Sequence, residues 1–151
     1  MAIVDITSEI VIARPRHDVA AYASDPDTAT SWYANIAAVE WKTAKPARLG
    51  SRIAFVATFL GRRLSYTYRV TELVPDERFV MRTDEGPFPM ETTYAWSDAA
   101  NGATRMVLRN RGEPSGFGAI AAPVMAAAMR RANSRDLARL KSILEDTGEG
   151  E

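Results

Sequence analysis

Few side chains in this sequence belong to the types that carry out covalent or metal chemistry. The 151 residues include one histidine and no cysteine, which excludes disulfides, thiolate chemistry and the common zinc sites. His17 stands in RPRHD at the start of a predicted helix, where a histidine is more typical of a solvated surface group than of a general base. The sequence contains no GxSxG, GxGxxG or P-loop motif. No catalytic residue can be assigned from a motif, and no metal or other cofactor is expected.

Carboxylates gather around the segment GPFP. Asp84 and Glu85 precede it and Glu91 follows it, so the three could line the entrance of a pocket; as surface residues of a hairpin they need no function. Asp25 and Asp27 lie at a short helix and are better explained as helix caps, because a carboxylate accepts hydrogen bonds from the free N–H groups of a first turn. The acidic residues leave a catalytic role open without assigning one.

Hydroxyl and amide groups interrupt strand faces that are otherwise apolar. The alternation of a strand places on these inner faces the polar residues Tyr66, Tyr68, Thr83, Thr92, Tyr94 and Asn110. A buried polar group without a partner costs about 1–3 kcal/mol, so several on one face predict contact with water or a ligand. The alternative is that the tyrosine rings are packed and their hydroxyls reach the surface.

The strands and helices that must position these groups follow from the periodicity of the apolar residues. Alternation over Ile3–Ala13 predicts a strand, and HDVAAYASD and DPDTATSWYA predict two short helices. Six further strands, bounded by turn residues, are predicted at Ala37–Ala44, Arg52–Leu60, Arg63–Val74, Glu77–Asp84, Met90–Ser97 and Thr104–Arg111. A helix over Pro123–Glu145 follows them. One antiparallel sheet that curls around one long helix is an α+β fold.

The long helix has two unlike halves. At helical spacings of three and four, one stripe contains Ala122, Ala126, Met129, Asn133, Leu137, Leu140 and Leu144. Leucines can pack against the sheet, whereas the small residues leave space above it, and natural cores rarely keep large gaps without purpose. The stripe therefore predicts a cavity between the first half of the helix and the sheet. Alanine is also the best helix former, so a fully packed helix is the alternative.

Composition and charge indicate one ordinary globular domain. The 19 basic residues balance the 19 acidic ones, so bulk charge favours neither nucleic acid nor an anionic membrane as a partner. Asp5 and Glu9 interrupt the apolar N-terminal segment, unlike a secretory signal, and the low-charge run 117–129 is too short for membrane insertion. We expect a cytoplasmic protein with a single domain over 1–146 and a disordered tail over 147–151.

Several segments, in this order, resemble the START-like helix-grip superfamily, and within it the bacterial polyketide cyclase/dehydrase-like branch of the SRPBCC proteins. They are IARPRHDVAAYASDPDTATSWYANIAAVEW, RLGSRIAF, YRVTELVPDERFVMRT, GPFPMETTYAW and DLARLKSILE. These segments span nearly the whole chain but contain no catalytic signature, so they bear on the fold more than on function. The resemblance implies a seven-stranded antiparallel sheet that grips the C-terminal helix, with an apolar cavity between them.

Proteins of this superfamily frame the mouth of the cavity with loops between strands and with the start of the long helix. In this chain those loops correspond to LGRR, DEGPFPM and GEPSGFG. We predict that Phe88 and Phe117 form a hydrophobic rim with Met90 at the mouth; the alternative is that the two phenylalanines plug the cavity end. The predicted ligand-binding residues are Phe55, Phe59, Tyr66, Tyr68, Met81, Thr92, Tyr94, Trp96, Asn110, Phe117, Ala122, Met125, Ala126, Met129 and Asn133.

Three functions are open on the sequence alone. The first is binding of a small hydrophobic molecule, aromatic, polyketide-like or lipid-like, by burial and a few orienting polar groups. The second is a polyketide cyclase or dehydratase that folds a reactive chain in the same cavity, with Tyr66, Tyr94 or Asn133 polarising a carbonyl. The third is an accessory protein whose groove takes a partner segment, which an exposed apolar rim would favour. Neither the ligand nor the oligomeric state follows from the sequence.

Overall fold

The computed structural model describes residues 4–59, 61–86, 88–113 and 122–149. The strands are β1 (Val4–Ile12), β2 (Ile36–Trp41), β3 (Arg52–Phe59), β4 (Arg62–Val74), β5 (Arg78–Glu85), β6 (Met90–Asp98) and β7 (Thr104–Gly112). The helices are α1 (Arg16–Ala23), α2 (Ala29–Trp32) and α3 (Ala122–Glu149), with 3₁₀ turns at Pro26–Thr28 and Ala100–Gly102. This order of strand, two short helices, six strands and long helix confirms the predicted one.

All seven strands join one antiparallel sheet in the order β1-β7-β6-β5-β4-β3-β2. β2 to β7 follow one another as a meander, and β1 closes the far edge by pairing with β7, where Ile6 lies opposite Asn110. Buried and exposed residues alternate along β1 and β7, because successive side chains of a strand point to opposite faces. The helix-grip α+β fold predicted from the sequence is confirmed.

A tight turn fixes the register of β3 and β4, which together carry four aromatic residues. Gly61 has φ +76°, a conformation that costs glycine little and other residues more. The register that follows the turn places Phe55 opposite Tyr66 and Ile53 opposite Tyr68. The four side chains therefore share the face of the sheet that α3 covers, which we call the inner face.

Two clusters of buried residues hold α3 on the inner face. Leu137, Leu140 and Leu144 of its second half are at most 5% exposed and pack with Phe79 and Trp96 in the larger cluster. The smaller cluster joins the first half of the helix to the sheet through Val4, Ile6, Leu64, Phe88, Met90, Met125 and Met129. Full burial of one such side chain stabilises a fold by about 1.5–3 kcal/mol, so both halves of α3 are anchored.

Most element ends lie within one or two residues of those predicted, and two differ by more. β2 ends at Trp41 rather than Ala44, because the Thr43 hydroxyl accepts the Arg52 N–H at 3.0 Å and so replaces a backbone carbonyl in the ladder. α3 continues to Glu149, beyond the predicted end at Glu145. The division into a domain over 1–146 and a tail over 147–151 stays a prediction.

Candidate ligand-binding cavity

A cavity of about 170 Å³ lies between α3, the inner face of the sheet and the segment from α1 to the start of β2. One water molecule needs only about 10–15 Å³ of such space, so the cavity has room for a small organic molecule. Its walls are mainly aromatic and aliphatic, with a few hydroxyl, amide and carboxyl groups among them. This composition is typical of sites for small molecules.

Most residues predicted for the site lie on the wall of this cavity. They are Phe55, Phe59, Tyr66, Tyr68, Met81, Phe88, Met90, Thr92, Tyr94, Asn110, Met125, Met129 and Asn133. The strand residues come from β3 to β7 and the others from α3 and from the segment between β5 and β6. Their alternation along each strand brings them to the inner face together.

Four predicted residues are not on the described wall. Trp96 is buried one alternation beyond Tyr94, with ring centroids 6.1 Å apart, and its side chain fills the packed part of the core. Ala126 packs beside the smaller cluster without lining the cavity. Phe117 and the side chain of Ala122 lie outside the described part of the chain.

The sequence did not reveal that the segment between α1 and β2 forms one side of the cavity. This side includes Tyr33 and Asn35 as well as Asp25. Asp25 also caps the first 3₁₀ turn as predicted, since its carboxylate accepts the Asp27 N–H at 3.0 Å. No local pattern reports how short helices fold back on a sheet, so these wall residues carried no signal of their own.

Aromatic rings build the walls at two levels. Near the β3–β4 turn, Tyr66 and Phe88 meet edge to face with centroids 5.8 Å apart. Further along the same strands, Phe55 and Tyr68 meet edge to face at 5.7 Å. Such contacts add about 0.5–1.5 kcal/mol beyond area burial, so the rings form firm walls that can accept a flat ligand between them.

A line of hydrogen bonds ties α3 to the sheet across the cavity wall. Asn133 donates from Nδ2 to Asn110 Oδ1 at 2.6 Å, and Asn110 donates from its own Nδ2 to Thr92 Oγ1 at 2.8 Å. Burial raises the pKa of the Tyr68 hydroxyl to about 12, and the neighbouring Thr92 hydroxyl offsets part of this rise. The predicted polar groups of the inner face thus satisfy one another in part, as buried polar groups must.

A pair of tyrosine hydroxyls joins α2 to β6. Tyr33, directly after α2, and Tyr94 have their hydroxyl oxygens 2.6 Å apart. Burial raises the pKa of both tyrosines well above the ordinary value of 10.0, and the nearby carboxylate of Asp136 contributes to both shifts. Both hydroxyls therefore keep their protons and act as neutral hydrogen-bonding groups at physiological pH.

One ionisable group stands on the cavity wall from within α3. Asp136 is 2% exposed, and its Oδ1 accepts the Ala34 N–H at 3.1 Å and the Arg135 Nε–H at 3.3 Å. Burial raises the pKa of this carboxyl, and the two hydrogen bonds lower it by less. The helical spacing could have placed this residue on the wall, because Asp136 follows Asn133 by three residues and so shares its helix face.

Phe88 belongs to the buried wall and not to an exposed rim. It is 5% exposed, and Met90 is 8% exposed, so both side chains are buried where they line the cavity. Of the two alternatives for this phenylalanine, its burial fits the plug. The counterpart residue, Phe117, lies outside the described part of the chain.

The carboxylates that flank GPFP form ion pairs with arginines. Arg52 binds Asp84 at 2.8 Å and Glu85 at 3.0 Å, and Arg82 lies 3.7 Å from Glu91. All three acidic residues lie away from the cavity wall, so surface pairing explains them without a catalytic role.

The single histidine is also remote from the cavity. His17 Nδ1 lies 3.1 Å from the Asp76 carboxylate, and its side chain is 75% exposed. This surface position fits the non-catalytic interpretation. Within the described ranges, no group of three or more acidic, histidine or cysteine side chains is arranged to hold a metal ion. No helix in those ranges is long and apolar enough to cross a bilayer.

Comparison with known proteins places this architecture in a family. The family described as polyketide cyclase/dehydrase and lipid transport matches residues 4–145, which run from β1 into the last turns of α3. The chain belongs to this family. A comparison with curated proteins finds no match.

Solved structures share the fold of this family member at low sequence identity. A START superfamily protein from Mycobacterium smegmatis has a TM-score of 0.80 at 11% identity, covering 95% of this chain and 98% of its own. A protein from Thermus thermophilus has a TM-score of 0.78 at 22% identity, with 91% and 94% covered. The ZhuI aromatase/cyclase from a Streptomyces species has a TM-score of 0.77 at 15% identity, with 95% and 94% covered. These similarities show the helix-grip fold alone.

Proposed function

We propose that this protein binds a small hydrophobic molecule, aromatic, polyketide-like or lipid-like, in the cavity between the sheet and α3. The observation that carries the proposal is the cavity itself, about 170 Å³ lined mainly by aromatic and aliphatic side chains. Transfer of apolar surface from water to such a site contributes about 25 cal/mol per Å². Membership of a family that includes polyketide cyclases and lipid transport proteins supports the same ligand class.

Polar groups on the cavity wall can orient a bound ligand. Thr92, Asn110 and Asn133 form one hydrogen-bonded line, and Tyr33 and Tyr94 form a separate pair. A few fixed polar groups in an apolar pocket select orientation more than they add affinity. The site therefore suits a mostly apolar ligand with one or two oxygen or nitrogen groups.

One observation favours an enzyme as the second candidate. Asp136 is a buried carboxyl with a raised pKa on the cavity wall, which is the type of group that serves as a general acid or base. A cyclase or dehydratase acting on a polyketide-like chain would use Asp136 for proton transfer and the cavity for folding the chain. Incubation of a poly-β-ketone thioester with the protein, followed by mass spectrometry of the products, tests this candidate; equal product patterns with and without protein would reject it.

The third candidate, a groove for a partner segment, lacks a supporting observation in the described residues. Phe88, which was to form part of an exposed apolar rim, is 5% exposed. The burial of this side chain gives the third candidate no support.

A ligand search with two independent readouts tests the proposed binding function. Native mass spectrometry of freshly purified protein is expected to show a co-purified mass that is lost on denaturation. A thermal-shift screen over fatty acids, polyphenols and aromatic polyketides is expected to give a saturable stabilisation, because a ligand that binds only the folded state stabilises it. A protein without a bound mass that no compound of the screen stabilises would contradict the proposal.

A further inference from the structure

The described hydrogen bonds leave one acceptor on the cavity wall unused. Both hydrogen bonds to Asp136, from Ala34 and Arg135, end on the same oxygen, Oδ1. Among the described residues, Oδ2 has no hydrogen-bond partner. The Asp136 side chain is 3% exposed and lines the cavity. Bulk water therefore replaces little of the hydration that the carboxylate lost on burial. The unused acceptor must find its donor inside the cavity.

The tyrosine pair leaves one donor unused in the same part of the cavity. Two hydroxyl groups carry two hydrogens, and the contact between Tyr33 and Tyr94 at 2.6 Å uses one of them. Within the described ranges, the second hydrogen has no protein acceptor. Ala34, which donates to Asp136 Oδ1, directly follows Tyr33 in the chain, and Tyr33, Tyr94 and Asp136 line the same cavity. A free acceptor and a free donor therefore lie close together on one wall.

A hydroxyl satisfies both from a single atom, whereas an amide or a carboxylic acid needs two atoms to do so. A hydroxyl donates one hydrogen bond and accepts another, so it can give to Asp136 and receive from the tyrosine pair. An ether or ketone can accept but leaves Asp136 without a donor, and an ammonium group can donate but leaves the tyrosine hydrogen without an acceptor. Water can also donate and accept, so a ligand hydroxyl can replace a water molecule at this position.

We propose that the cavity selects a hydrophobic ligand carrying an alcohol or phenol hydroxyl, which donates to Asp136 Oδ2 and accepts from the Tyr33–Tyr94 pair. This inference rests on the proposed binding function and adds the polar group of the ligand. Asp136 and the two tyrosines are the residues that determine specificity, whereas the aromatic walls supply affinity. A site built to hydrogen bond a hydroxyl rejects an analogue without one far more strongly than an apolar pocket rejects a change of size.

Three probes of nearly equal ring size test the inference on the wild-type chain. Isothermal titration calorimetry at neutral pH would compare 2-naphthol, 2-methoxynaphthalene, which only accepts, and naphthalene, which does neither. We expect 2-naphthol to bind at least about tenfold more tightly than the other two. Equal Kd values for all three would overturn the hydroxyl inference and leave the binding function standing. Absence of binding by all three would count against both.

Asp136→Asn provides the second arm. The amide oxygen keeps the two hydrogen bonds of Oδ1, while the amide nitrogen replaces the acceptor Oδ2 with a donor. We expect the preference for 2-naphthol over 2-methoxynaphthalene to fall to about twofold or less, with the affinity for naphthalene unchanged. The matched control is Asp146→Asn, an exposed carboxylate on the same helix, which should keep the wild-type preference. A preference that survives Asp136→Asn, or an equal loss for all three probes, would overturn the role of Asp136.

Discussion

At the scale of single residues, burial of the Asp136 carboxylate lowers the stability of the folded state. Removing a carboxylate from water is unfavourable unless hydrogen bonds replace the lost hydration, and here the described bonds reach one oxygen only. The ion pair with Arg135 offsets little, because that arginine is 52% exposed and water screens its charge. Such a group is typical of functional sites.

Asp136→Asn is expected to raise the thermal stability of the unliganded protein at neutral pH. The amide keeps the acceptor for the Ala34 N–H and removes the buried charge, so no hydrogen bond to Oδ1 is lost. In a chain of this size, about 1 kcal/mol corresponds to a shift in Tm of about 2–4 °C. Differential scanning calorimetry measures it; a Tm several degrees below that of the wild type would show that the charge supports the fold.

The difference in Tm between Asp136→Asn and the wild type is expected to depend on pH. Burial raises the native pKa of Asp136 above its ordinary value of 3.8, so the native state holds this proton to a higher pH than the unfolded state does. The stability contributed by this group is present below pH 3.8 and is lost as pH rises to the native pKa. The Tm of Asp136→Asn minus that of the wild type should therefore increase over this interval and then level off. A difference that shrinks with rising pH would contradict the assignment.

Residues on strands were more accessible to sequence reasoning than residues on α3 or in the short connections. Alternation decides which face a strand residue occupies, and this brought Tyr66, Tyr68 and Thr92 to the cavity as expected. Tyr33 was missed because its position depends on how α2 packs against β6, and no local periodicity records that packing. For Trp96, the predicted face of the sheet is correct. Its position along β6, which alternation does not decide, places the side chain in the packed core and not on the cavity wall.

At the scale of elements, α3 combines a packed half and a half that leaves room. Leu137, Leu140 and Leu144 follow the helical spacing that predicted their burial. In the first half, Met125 and Met129 are buried too, so the helix does not simply stand clear of the sheet there. The cavity lies beside this half, but Met125 and Met129 line it and Ala126 of the stripe does not. That the small residues make the room stays a prediction.

Met129→Trp tests whether space adjoins the first half of α3. The larger ring can extend into the cavity, so the free energy of unfolding should change by less than about 1 kcal/mol, whereas insertion into a filled core costs about 1–3 kcal/mol. Affinity for any cavity ligand should fall at least tenfold. Urea denaturation and calorimetry measure the two effects. Val124→Trp, at a side chain 58% exposed on the same helix, is the matched control and should preserve binding; severe destabilisation by Met129→Trp alone would mean that the site is already packed.

At the scale of the whole molecule, the two faces of the sheet have separate tasks. The inner face, α3 and the segment around α2 line the cavity. Arginines on the outer face pair with acidic neighbours, as Arg109 does with Asp5 and Arg105 with Glu9. Exposed pairs of this kind contribute about 0–1 kcal/mol each, so stability resides in the two apolar clusters. That the protein has no nucleic-acid partner and that it is cytoplasmic stay predictions from the sequence, which does not predict the oligomeric state.

If a small hydrophobic molecule enters the space between the sheet and α3, the methionine methyl groups report its entry most directly. The sequence has six methionines; Met81, Met90, Met125 and Met129 line the cavity, whereas Met106 is fully buried elsewhere. NMR of protein labelled with ¹³C at the methionine methyls, titrated with 2-naphthol, should show saturable shifts for the four lining methyls and little change at Met106. Shifts that do not saturate, or that affect Met106 as much as the four, would contradict the account.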